Sequence, residues 1–302
     1  MHSLVIHGGT GAIPADLPEA RRKPYEAALS AALDQAFDVL ERGGSSLDAV
    51  TTAVRLLEDE PLFNAGRGAT LSREGQAELD ASIMDGRERR AGSVAGLRHV
   101  KNPIDLARWV MERTPHVMVI GQGAEELAIE AGLPLVSNEY FRTEARRHQL
   151  AAEQQGRTVS DLVPAAHGTV GAVARDAQGH LAAATSTGGM ANKRPGRVGD
   201  TPIIGAGTYA KNGVCAISCT GHGEYFIRCA AAHHVVAAVE YRGLSLLQAA
   251  RELLEQDIAQ LGGYGGLIGV DAAGAMVMEF TTSGMFRAAR DAAGRRVVAI
   301  TR

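Results

Sequence analysis

The sequence contains no long apolar run, and it has few cysteine and aromatic residues. A helix that spans a bilayer needs roughly 20 consecutive apolar residues, so we expect no membrane segment. The apolar run near the N-terminus is far too short for a signal peptide. The three cysteines lack the spacing of a disulfide framework and indicate free thiols in a reducing compartment: Cys215, Cys219 and Cys229. We therefore expect a cytoplasmic protein.

An excess of either charge is also lacking, since the net charge is −3 at pH 7. The basic runs are short and interleaved with acidic residues, a pattern typical of solvated faces. We therefore expect no nucleic-acid partner and no membrane partner. Alanine and glycine are plentiful instead, and the 302 residues are 45% hydrophobic, enough for one large domain or two small ones.

The order of the predicted elements favours layers of helices and strands. Apolar residues recur at helical spacing over residues 25–42, and Ser45 with Asp48 predicts the cap of a second helix. Beyond residue 169 short strands dominate, and turn sequences typical of hairpins join them: 176–179, 271–274 and 291–294. This clustering favours antiparallel sheets covered by helices over regular βαβ alternation.

One segment, residues 137–166, loses apolar periodicity and becomes rich in Arg, Glu, Gln and Ala. This composition predicts a surface linker or mobile segment, part of it helical. It ends just before Thr169, so a cleavage site there would be accessible.

Thr169 lies between two glycines in the segment His167-Gly168-Thr169-Val170-Gly171. A threonine hydroxyl inside a chain is a poor nucleophile, but cleavage before Thr169 would expose an α-amine with a pKa of about 7.7–8.0. That amine would be the activating base that nucleophilic catalysis requires. Taken alone, the pentapeptide is more typical of an ordinary strand start.

Three further polar, glycine-rich segments follow apolar strands: 184–190, 197–200 and 218–224. Separately, each is typical of a turn with satisfied hydroxyls. Together they supply what amide hydrolysis needs besides a nucleophile, because Thr187 and Thr220 carry hydroxyls and glycine N–H groups can stabilise an oxyanion. Arg197 and Asp200 suit the carboxylate and ammonium of an α-amino acid.

Other chemistries have weaker support. The glycines of residues 7–11 and 121–123 lack the Gly-x-Gly-x-x-Gly spacing, so a nucleotide site is a distant alternative. The sequence has no His-Glu-x-x-His motif and no Gly-x-Ser-x-Gly elbow, and its cysteines have no convincing base partner. A metal centre and a serine or cysteine triad are therefore disfavoured.

Over nearly its whole length the sequence resembles the plant-type (type III) L-asparaginases, also called isoaspartyl peptidases or β-aspartyl-peptidases, of the N-terminal-nucleophile hydrolases. These motifs carry the resemblance: His7–Gly9, Phe63–Gly68, His167–Gly171, Thr185–Asn192, Pro195–Asp200, Thr220–Glu224 and Thr281–Gly284. The resemblance implies one α+β domain, 1–302, with the Ntn-hydrolase fold, a four-layer αββα sandwich of two antiparallel sheets covered by helices. It also implies self-cleavage between Gly168 and Thr169 into an α subunit (1–168) and a β subunit (169–302), assembled as a dimer of αβ heterodimers.

The resemblance also implies roles for the residues at matching positions. Thr169 would be the nucleophile, and Thr187 would assist cleavage and orient it. Thr220 and the Gly221 N–H would form the oxyanion hole, and Asn64 would reach the site from the other subunit. Arg197 and Asp200 would hold the α-carboxylate and α-ammonium of an aspartyl group. The substrate-binding residues would be Arg197, Val198, Gly199, Asp200, Thr220, Gly221, His222 and Gly223.

No cofactor for catalysis is expected, but the family's loop for a structural sodium ion matches residues 57–67 of this chain. The ligands would be backbone carbonyls: those of Leu57, Glu58, Glu60, Phe63, Ala65 and Arg67. Arg67 departs from the smaller or apolar residue expected there, which puts local packing and substrate access in question.

These observations predict an amidohydrolase that cleaves the side-chain amide of L-asparagine and β-aspartyl (isoaspartyl) dipeptides through an aspartyl ester on Thr169. Two alternatives stay open. One is a hydrolase of the same superfamily for a larger substrate, such as glycosylated asparagine or a protein. The other is an unprocessed small-molecule binding protein, although pure binding would not need the hydroxyls of Thr169, Thr187 and Thr220.

Overall fold

The computed structural model describes residues 2–157 and 168–302, and these form a mixed α+β fold with two β-sheets and eight α-helices. The first stretch contains β1 (Ser3–Gly11), α1 (Glu19–Glu41), α2 (Ser46–Asp59), β2 (Leu79–Asp85), β3 (Arg90–Leu97), α3 (Pro103–Arg113), β4 (Met118–Ile120), α4 (Gly121–Glu130) and α5 (Glu144–Gln154). The second contains β5 (Val170–Arg175), β6 (Leu181–Thr187), β7 (Thr208–Lys211), β8 (Cys215–Gly221), α6 (Gly223–Arg228), α7 (Ala231–Arg242), α8 (Leu246–Glu252), β9 (Gly265–Asp271), β10 (Met276–Phe280), β11 (Gly284–Asp291) and β12 (Arg296–Thr301).

Among the described residues, the larger sheet has the strand order β12-β11-β1-β5-β6-β2-β3-β4 and the smaller has the order β10-β9-β8-β7. Most neighbouring strands are antiparallel, with His7 of β1 opposite Gly171 of β5. The short edge strand β4 is parallel to β3, so the expectation of two wholly antiparallel sheets was wrong at this edge. The reason is α3, because a helical crossover returns the chain in its original direction.

The predicted hairpin turns are confirmed at all three places, where they join β5 to β6, β9 to β10 and β11 to β12. Each turn begins with an aspartate, namely Asp176, Asp271 or Asp291. Its Oδ1 accepts the backbone N–H groups two and four residues further on. Such local carboxylate–backbone bonds are the reason that aspartate favours turns.

Buried apolar side chains form three clusters that follow the arrangement of the sheets. One cluster joins α1, α2 and α3 to one face of the larger sheet. A second lies between the two sheets and includes Val5, Val173 and Ile268. The third joins the smaller sheet to α7 and α8 through residues such as Ile217 and Val236. Burial of apolar surface on both sides of each sheet is the main force that holds these elements together.

The helices agree with the predicted periodicity, with one difference in extent. The cap of α2 is confirmed, since Ser45 Oγ accepts the Asp48 N–H at 3.1 Å. The first helix begins at Glu19 rather than near residue 25, because its first turn is polar and leaves no apolar period in the sequence.

The segment 137–166, predicted as a surface linker or mobile segment that is helical in part, contains helices in its first part, and some of their side chains are buried rather than exposed. Residues Asn138–Phe141 form a 3₁₀ helix and α5 follows, with Phe141 fully buried. Arg146 of α5 is also buried, and its Nε donates to the Gly68 carbonyl oxygen at 2.6 Å. Apolar periodicity does not predict this helix well, because the charged side chain of Arg146 anchors the helix to the rest of the protein. Residues 158–166 of the predicted linker, and His167 of the following motif, lie outside the described residues.

Candidate active site

Thr169 directly precedes β5, a central strand between β1 and β6. Its side chain is buried, and its Oγ1 donates to Oγ1 of Thr187 at 3.2 Å. Gly171 lets the strand pass this point, because a Cβ there would lie 2.0 Å from Ser218 Oγ and 2.4 Å from His7 Nε2. The fold therefore brings together two threonine hydroxyls that the sequence separates by 18 positions.

The carbonyl of Gly168, on the other side of the predicted cleavage site, is bound by the fully buried Asn64. The carboxamide Nδ2 of Asn64 donates to the Gly168 oxygen at 2.5 Å and to the Gly189 oxygen at 2.7 Å. Its Oδ1 accepts the Thr70 N–H at 2.8 Å, which fixes the orientation of the amide. Asn64 thus aims a donor at the carbonyl oxygen that would carry negative charge during self-cleavage.

The Thr187 hydroxyl contacts both Thr169 Oγ1 and the Gly168 carbonyl oxygen. Its Oγ1 accepts the Gly189 N–H at 3.0 Å and lies 3.5 Å from the Gly168 oxygen, towards which it can donate. These contacts orient the hydroxyl so that its lone pair faces the Thr169 Oγ1–H.

Thr220 and Gly221 end β8 on the opposite sheet. The Thr220 side chain is fully buried, and its Oγ1 accepts the Thr10 N–H at 3.4 Å, which leaves the hydroxyl hydrogen available for another acceptor. Gly221 has a φ of +151°, and a Cβ there would lie 2.6 Å from the Tyr264 carbonyl oxygen. Only glycine allows this backbone conformation, which sets the direction of the Gly221 N–H.

The two charged residues predicted for substrate binding have different environments. Arg197 forms a two-point ion pair with Glu224, Nε to Oε1 at 2.9 Å and Nη2 to Oε2 at 2.8 Å. Asp200 is 5% exposed, and its Oδ2 has no hydrogen-bond partner among the described residues. Burial raises the pKa of Asp200 to about 7, although the charge of Arg197 acts in the opposite direction. Since a buried unpartnered carboxylate is costly, the site favours a cationic group beside it.

A small cavity of about 10 Å³ joins these groups. Seven of the predicted residues line it: Thr169, Thr187, Arg197, Gly199, Asp200, Gly221 and Gly223. Four others are not among its lining residues: Asn64, Val198, Thr220 and His222. Val198 lines a neighbouring cavity of about 530 Å³ instead, and the His222 ring packs on Tyr225. Three lining residues had no predicted role: Gly189, Met190 and Thr201.

Buried charged groups that sequence reasoning missed hold the loop that carries Arg197. The Glu78 carboxylate accepts the Gly196 N–H at 3.0 Å and an Arg98 N–H at 2.7 Å. Although burial opposes it, these bonds hold the pKa of Glu78 below its ordinary value. The Lys193 ammonium donates to the Glu78 main-chain oxygen at 2.9 Å. Spacing in the sequence gives no signal for these contacts, because residue 78 is more than 100 positions from the loop.

The glycine-rich segment after His7 does not form a phosphate loop. Residues 7–11 lie within β1 and pair with β11. A Cβ at Gly9 would lie 2.9 Å from the Thr169 nitrogen, so this segment packs against the predicted cleavage site. Burial lowers the pKa of His7 to about 3, against an opposing effect of the Thr169 backbone, and the ring is therefore neutral at physiological pH.

The end of α2 has features that suit a cation. Pro61 has no N–H, so the Leu57 carbonyl lacks the donor that residue 61 would supply in a continuing helix. The negative end of the helix dipole adds to the attraction. A Cβ at Gly66 would lie 2.3 Å from the Glu58 oxygen, and the turn therefore approaches these carbonyls as only glycine can. Such main-chain oxygens are the hard ligands that alkali and alkaline-earth cations prefer.

The other predicted carbonyl ligands lie in the same turn. A Cβ at Gly68 would lie 2.1 Å from the Phe63 oxygen. The carbonyls of Glu60 and Ala65 each accept one backbone N–H, which leaves a second lone pair on each oxygen. The side chain of Arg67 is exposed, with its guanidinium 5.6 Å from the centre of the Tyr140 ring. The unexpected charge therefore lies at the surface.

Two features are absent from the described residues. No group of three or more His, Cys, Asp or Glu side chains in residues 2–157 and 168–302 is arranged to hold a metal ion. Within the same ranges, the helices are too short or too polar for any of them to cross a bilayer.

Comparison with known proteins gave extensive similarity. The model of the asparaginase family matches residues 1–300. The isoaspartyl peptidase of Escherichia coli is 51% identical over 293 residues, which cover 94% of this chain and 91% of that protein. The isoaspartyl peptidase/L-asparaginase of Rattus norvegicus is 43% identical, over 93% of this chain and 84% of its own length. The probable isoaspartyl peptidase/L-asparaginase 2 of Arabidopsis thaliana is 39% identical, over 99% and 98%.

Proposed function

The chain belongs to the asparaginase family, and from this premise we propose that it is an isoaspartyl peptidase and L-asparaginase activated by its own cleavage. The observation that carries the proposal is the contact of Thr169 Oγ1 with Thr187 Oγ1 beside the Asn64-bound Gly168 carbonyl. A nucleophile, its scissile carbonyl and a donor for the oxyanion are thus within reach of one another.

In the proposed self-cleavage, Thr169 Oγ1 attacks the carbonyl carbon of Gly168 while Thr187 accepts the hydroxyl proton. The oxygen of Gly168 gains negative charge, which Asn64 Nδ2 stabilises. The proton that Thr187 took from Thr169 Oγ1 passes to the Thr169 nitrogen as the C–N bond breaks, which leaves an ester between Gly168 and the Thr169 side chain. Water hydrolyses this ester and leaves Thr169 with a free α-amine and a free hydroxyl.

In the proposed turnover, the Thr169 amine takes the proton of its own hydroxyl, and Oγ1 attacks the side-chain carbonyl of the substrate. Thr220 Oγ1–H and Gly221 N–H stabilise the oxyanion, and ammonia or a peptide amine leaves with the proton. Water then attacks the aspartyl ester and releases aspartate. The contact of Thr10 N–H with Thr220 Oγ1 supports this role, because it leaves the hydroxyl hydrogen free.

Substrate selection in this proposal depends on the charged end of the cavity. The substrate carboxylate would compete with Glu224 for Arg197, whose planar guanidinium suits two-point binding of a carboxylate. The substrate ammonium would lie against Asp200, whose Oδ2 lacks a partner among the described residues. The α-carbon of asparagine or of a β-linked N-terminal aspartyl residue carries both groups, whereas in an α-linked aspartyl dipeptide the α-carboxyl group is part of the peptide bond. We therefore propose that β-linked aspartyl substrates are preferred over α-linked ones.

The size of the cavity supports an order in which self-cleavage precedes substrate binding. A volume of about 10 Å³ has room for about one water, so an amino acid does not fit while Gly168 is joined to Thr169. Release of the Gly168 end from Asn64 would open the space that the substrate needs.

Several further features belong to the same proposal. We propose a structural sodium ion on the carbonyls of the 57–67 turn, where it would neutralise the negative end of α2. Helix–sheet–sheet–helix packing around the three apolar clusters supports a four-layer αββα sandwich. Assembly as a dimer of αβ heterodimers follows from the family premise. The unpaired cysteines support a cytoplasmic location.

The proposed function is tested by aspartate release from a β-aspartyl dipeptide and from L-asparagine. The α-linked isomer of the dipeptide is the matched control substrate, and Thr169→Val, which keeps the shape but lacks the hydroxyl, is the matched control protein. We expect turnover of both β-amides by the wild type, none of the α-isomer, and none by the variant. An inactive wild type, or an active Thr169→Val, would contradict the proposal.

A further inference from the structure

A string of buried polar side chains crosses between the two sheets beneath the proposed active site. At one end, Nε2 of His7 in β1 is 2.9 Å from Oγ of Ser218 in β8. Ser218 Oγ is in turn 2.8 Å from Oγ1 of Thr185 in β6. All three residues are fully buried, and Gly171 lies against His7 and Ser218 two positions after Thr169. This end of the string therefore adjoins the nucleophile strand.

The other end of the string reaches the loop that carries Asp200. Thr185 Oγ1 is 2.5 Å from Oγ1 of Thr208 in β7, which is 2.8 Å from Oγ of Ser82 in β2. Ser82 then donates to the carbonyl oxygen of Thr201 at 2.6 Å. Thr201 follows Asp200 and lines the cavity. Five strands and the binding loop are therefore connected by one hydrogen-bonded string.

The direction of hydrogen bonding is fixed at the end of the string where the Thr201 carbonyl oxygen accepts. Ser82 Oγ donates towards both the Thr201 carbonyl oxygen and Thr208 Oγ1, so its single proton is shared between these two contacts, and either hydroxyl can donate between Thr208 and Thr185. The Gly207 carbonyl is a longer alternative acceptor for Thr185, at 3.3 Å. Either hydroxyl can donate between Thr185 and Ser218, and the roles of Ser218 and His7 Nε2 depend on the tautomer of the imidazole ring. Each hydroxyl of the string has a partner, whereas His7 Nδ1 is buried without one among the described residues. The satisfied contacts rigidify the strands that they join.

The central contact lies directly beneath the two hydroxyls that the proposed reaction uses. Alternate residues of a strand point to the same face, so Thr185 and Thr187, two positions apart, are neighbours on one face of β6. By the same rule Ser218 and Thr220 are neighbours on one face of β8. The bond between Thr185 and Ser218 therefore ties together the two strands that carry the proposed cleavage and oxyanion hydroxyls.

We propose that Thr185 and Ser218 are positioning residues, which hold β6 and β8 so that Thr187 and Thr220 face the same substrate carbonyl. They act through their neighbours and touch no substrate. This inference rests on the proposed function, because turnover is its readout.

The test compares two substitutions at one position in the processed protein. Thr185→Val keeps the shape and removes the hydroxyl, whereas Thr185→Ser keeps the hydroxyl and removes a methyl group. We expect Thr185→Val to lower kcat about 10- to 100-fold, the size of effect that a misplaced catalytic group has, with KM within about twofold. Thr185→Ser should stay within about threefold of the wild type in both. The processed fraction, measured by mass, normalises each rate.

Thr51→Val is the matched control, because Thr51 is also buried but bonds away from the string, to the Leu47 carbonyl within α2 and to Arg108 of α3. It should keep the wild-type kcat. An unchanged kcat in Thr185→Val, or an equal loss in Thr185→Ser, would overturn the inference and indicate packing alone. Should Thr185→Val fail to fold, Ser218→Ala tests the same bond, with the same loss of kcat expected and an unchanged kcat against it. A wild type without turnover would instead refute the proposed function.

Discussion

At the scale of single residues, the proposed site depends on side chains whose ionisation the fold changes. Asp200 is buried without a partner for Oδ2 among the described residues, and its pKa is raised to about 7. His7 has its pKa lowered to about 3 by burial and is neutral at physiological pH. A perturbed carboxylate in a cavity is typical of functional sites, and we propose that the ammonium of the substrate is the missing partner.

The raised pKa of Asp200 predicts a difference between the pH profiles of kcat/KM and kcat. The first reports the free enzyme and the second the complex. In the free enzyme both Asp200, near pH 7, and the Thr169 amine, at about 7.7–8.0, must lose a proton. In the complex the bound ammonium lowers the pKa of Asp200. As the pH falls below 7, the decrease in kcat/KM should therefore depend on the uptake of two protons. The decrease in kcat should depend on the uptake of one.

The control for this prediction is Asp200→Asn, which is expected to have low activity. Its kcat/KM should fall with a single proton, because only the amine still titrates. Steady-state kinetics from pH 5 to 9 provide both profiles. If kcat/KM and kcat of the wild type both depended on a single proton, the assignment of Asp200 to ammonium binding would be contradicted.

Which site residues the sequence could predict depends on their separation along the chain. Arg197 and Asp200 are three apart, and their charges alone suggest an amino-acid head group. The partner of Arg197, Glu224, lies in a recognised motif but had no predicted role, because no spacing rule links a loop to a helix 27 positions away. Glu78 and the hydroxyl string were missed for the same reason.

At the scale of elements, local chemistry explains the successes and the failures of prediction. The aspartate turns and the Ser45 cap are formed by neighbours in sequence, so their signals are local. Helix α5 depends instead on the buried guanidinium of Arg146 and a carbonyl 78 positions away. The parallel pairing of β4 is likewise a consequence of the α3 crossover rather than of its own residues.

The end of α2 gives a prediction about sodium. A cation bound only by the folded state stabilises it by RT ln(1 + [L]/Kd), about 2.7 kcal/mol at 100 times Kd. Replacing sodium chloride by tetramethylammonium chloride at equal ionic strength should therefore lower the thermal midpoint. Adding sodium back should restore the thermal midpoint, and this recovery should saturate as the sodium concentration rises. Equal midpoints in the two salts would argue against a sodium site at residues 57–67.

At the scale of the whole molecule, the two stretches that cleavage would separate are interleaved. Strands β5 and β6 from the second stretch lie between β1 and β2 from the first. Asn64 of the first stretch binds both Gly168 and Gly189. A cut before Thr169 would therefore leave both chains held by shared sheets and a shared core. The whole-chain family resemblance predicts this arrangement, whereas composition alone leaves one or two domains open.

The central claim is that Thr169 becomes an N-terminal nucleophile, and the most direct test is the intact mass of the purified protein under denaturing conditions. We predict two species, residues 1–168 and 169–302, whose masses sum to that of the precursor plus one water. Thr169→Val, measured alongside, should give one species. A single wild-type species of 31.7 kDa that is unchanged after prolonged incubation would contradict the claim, because Thr169 would then lack the amine that activates it.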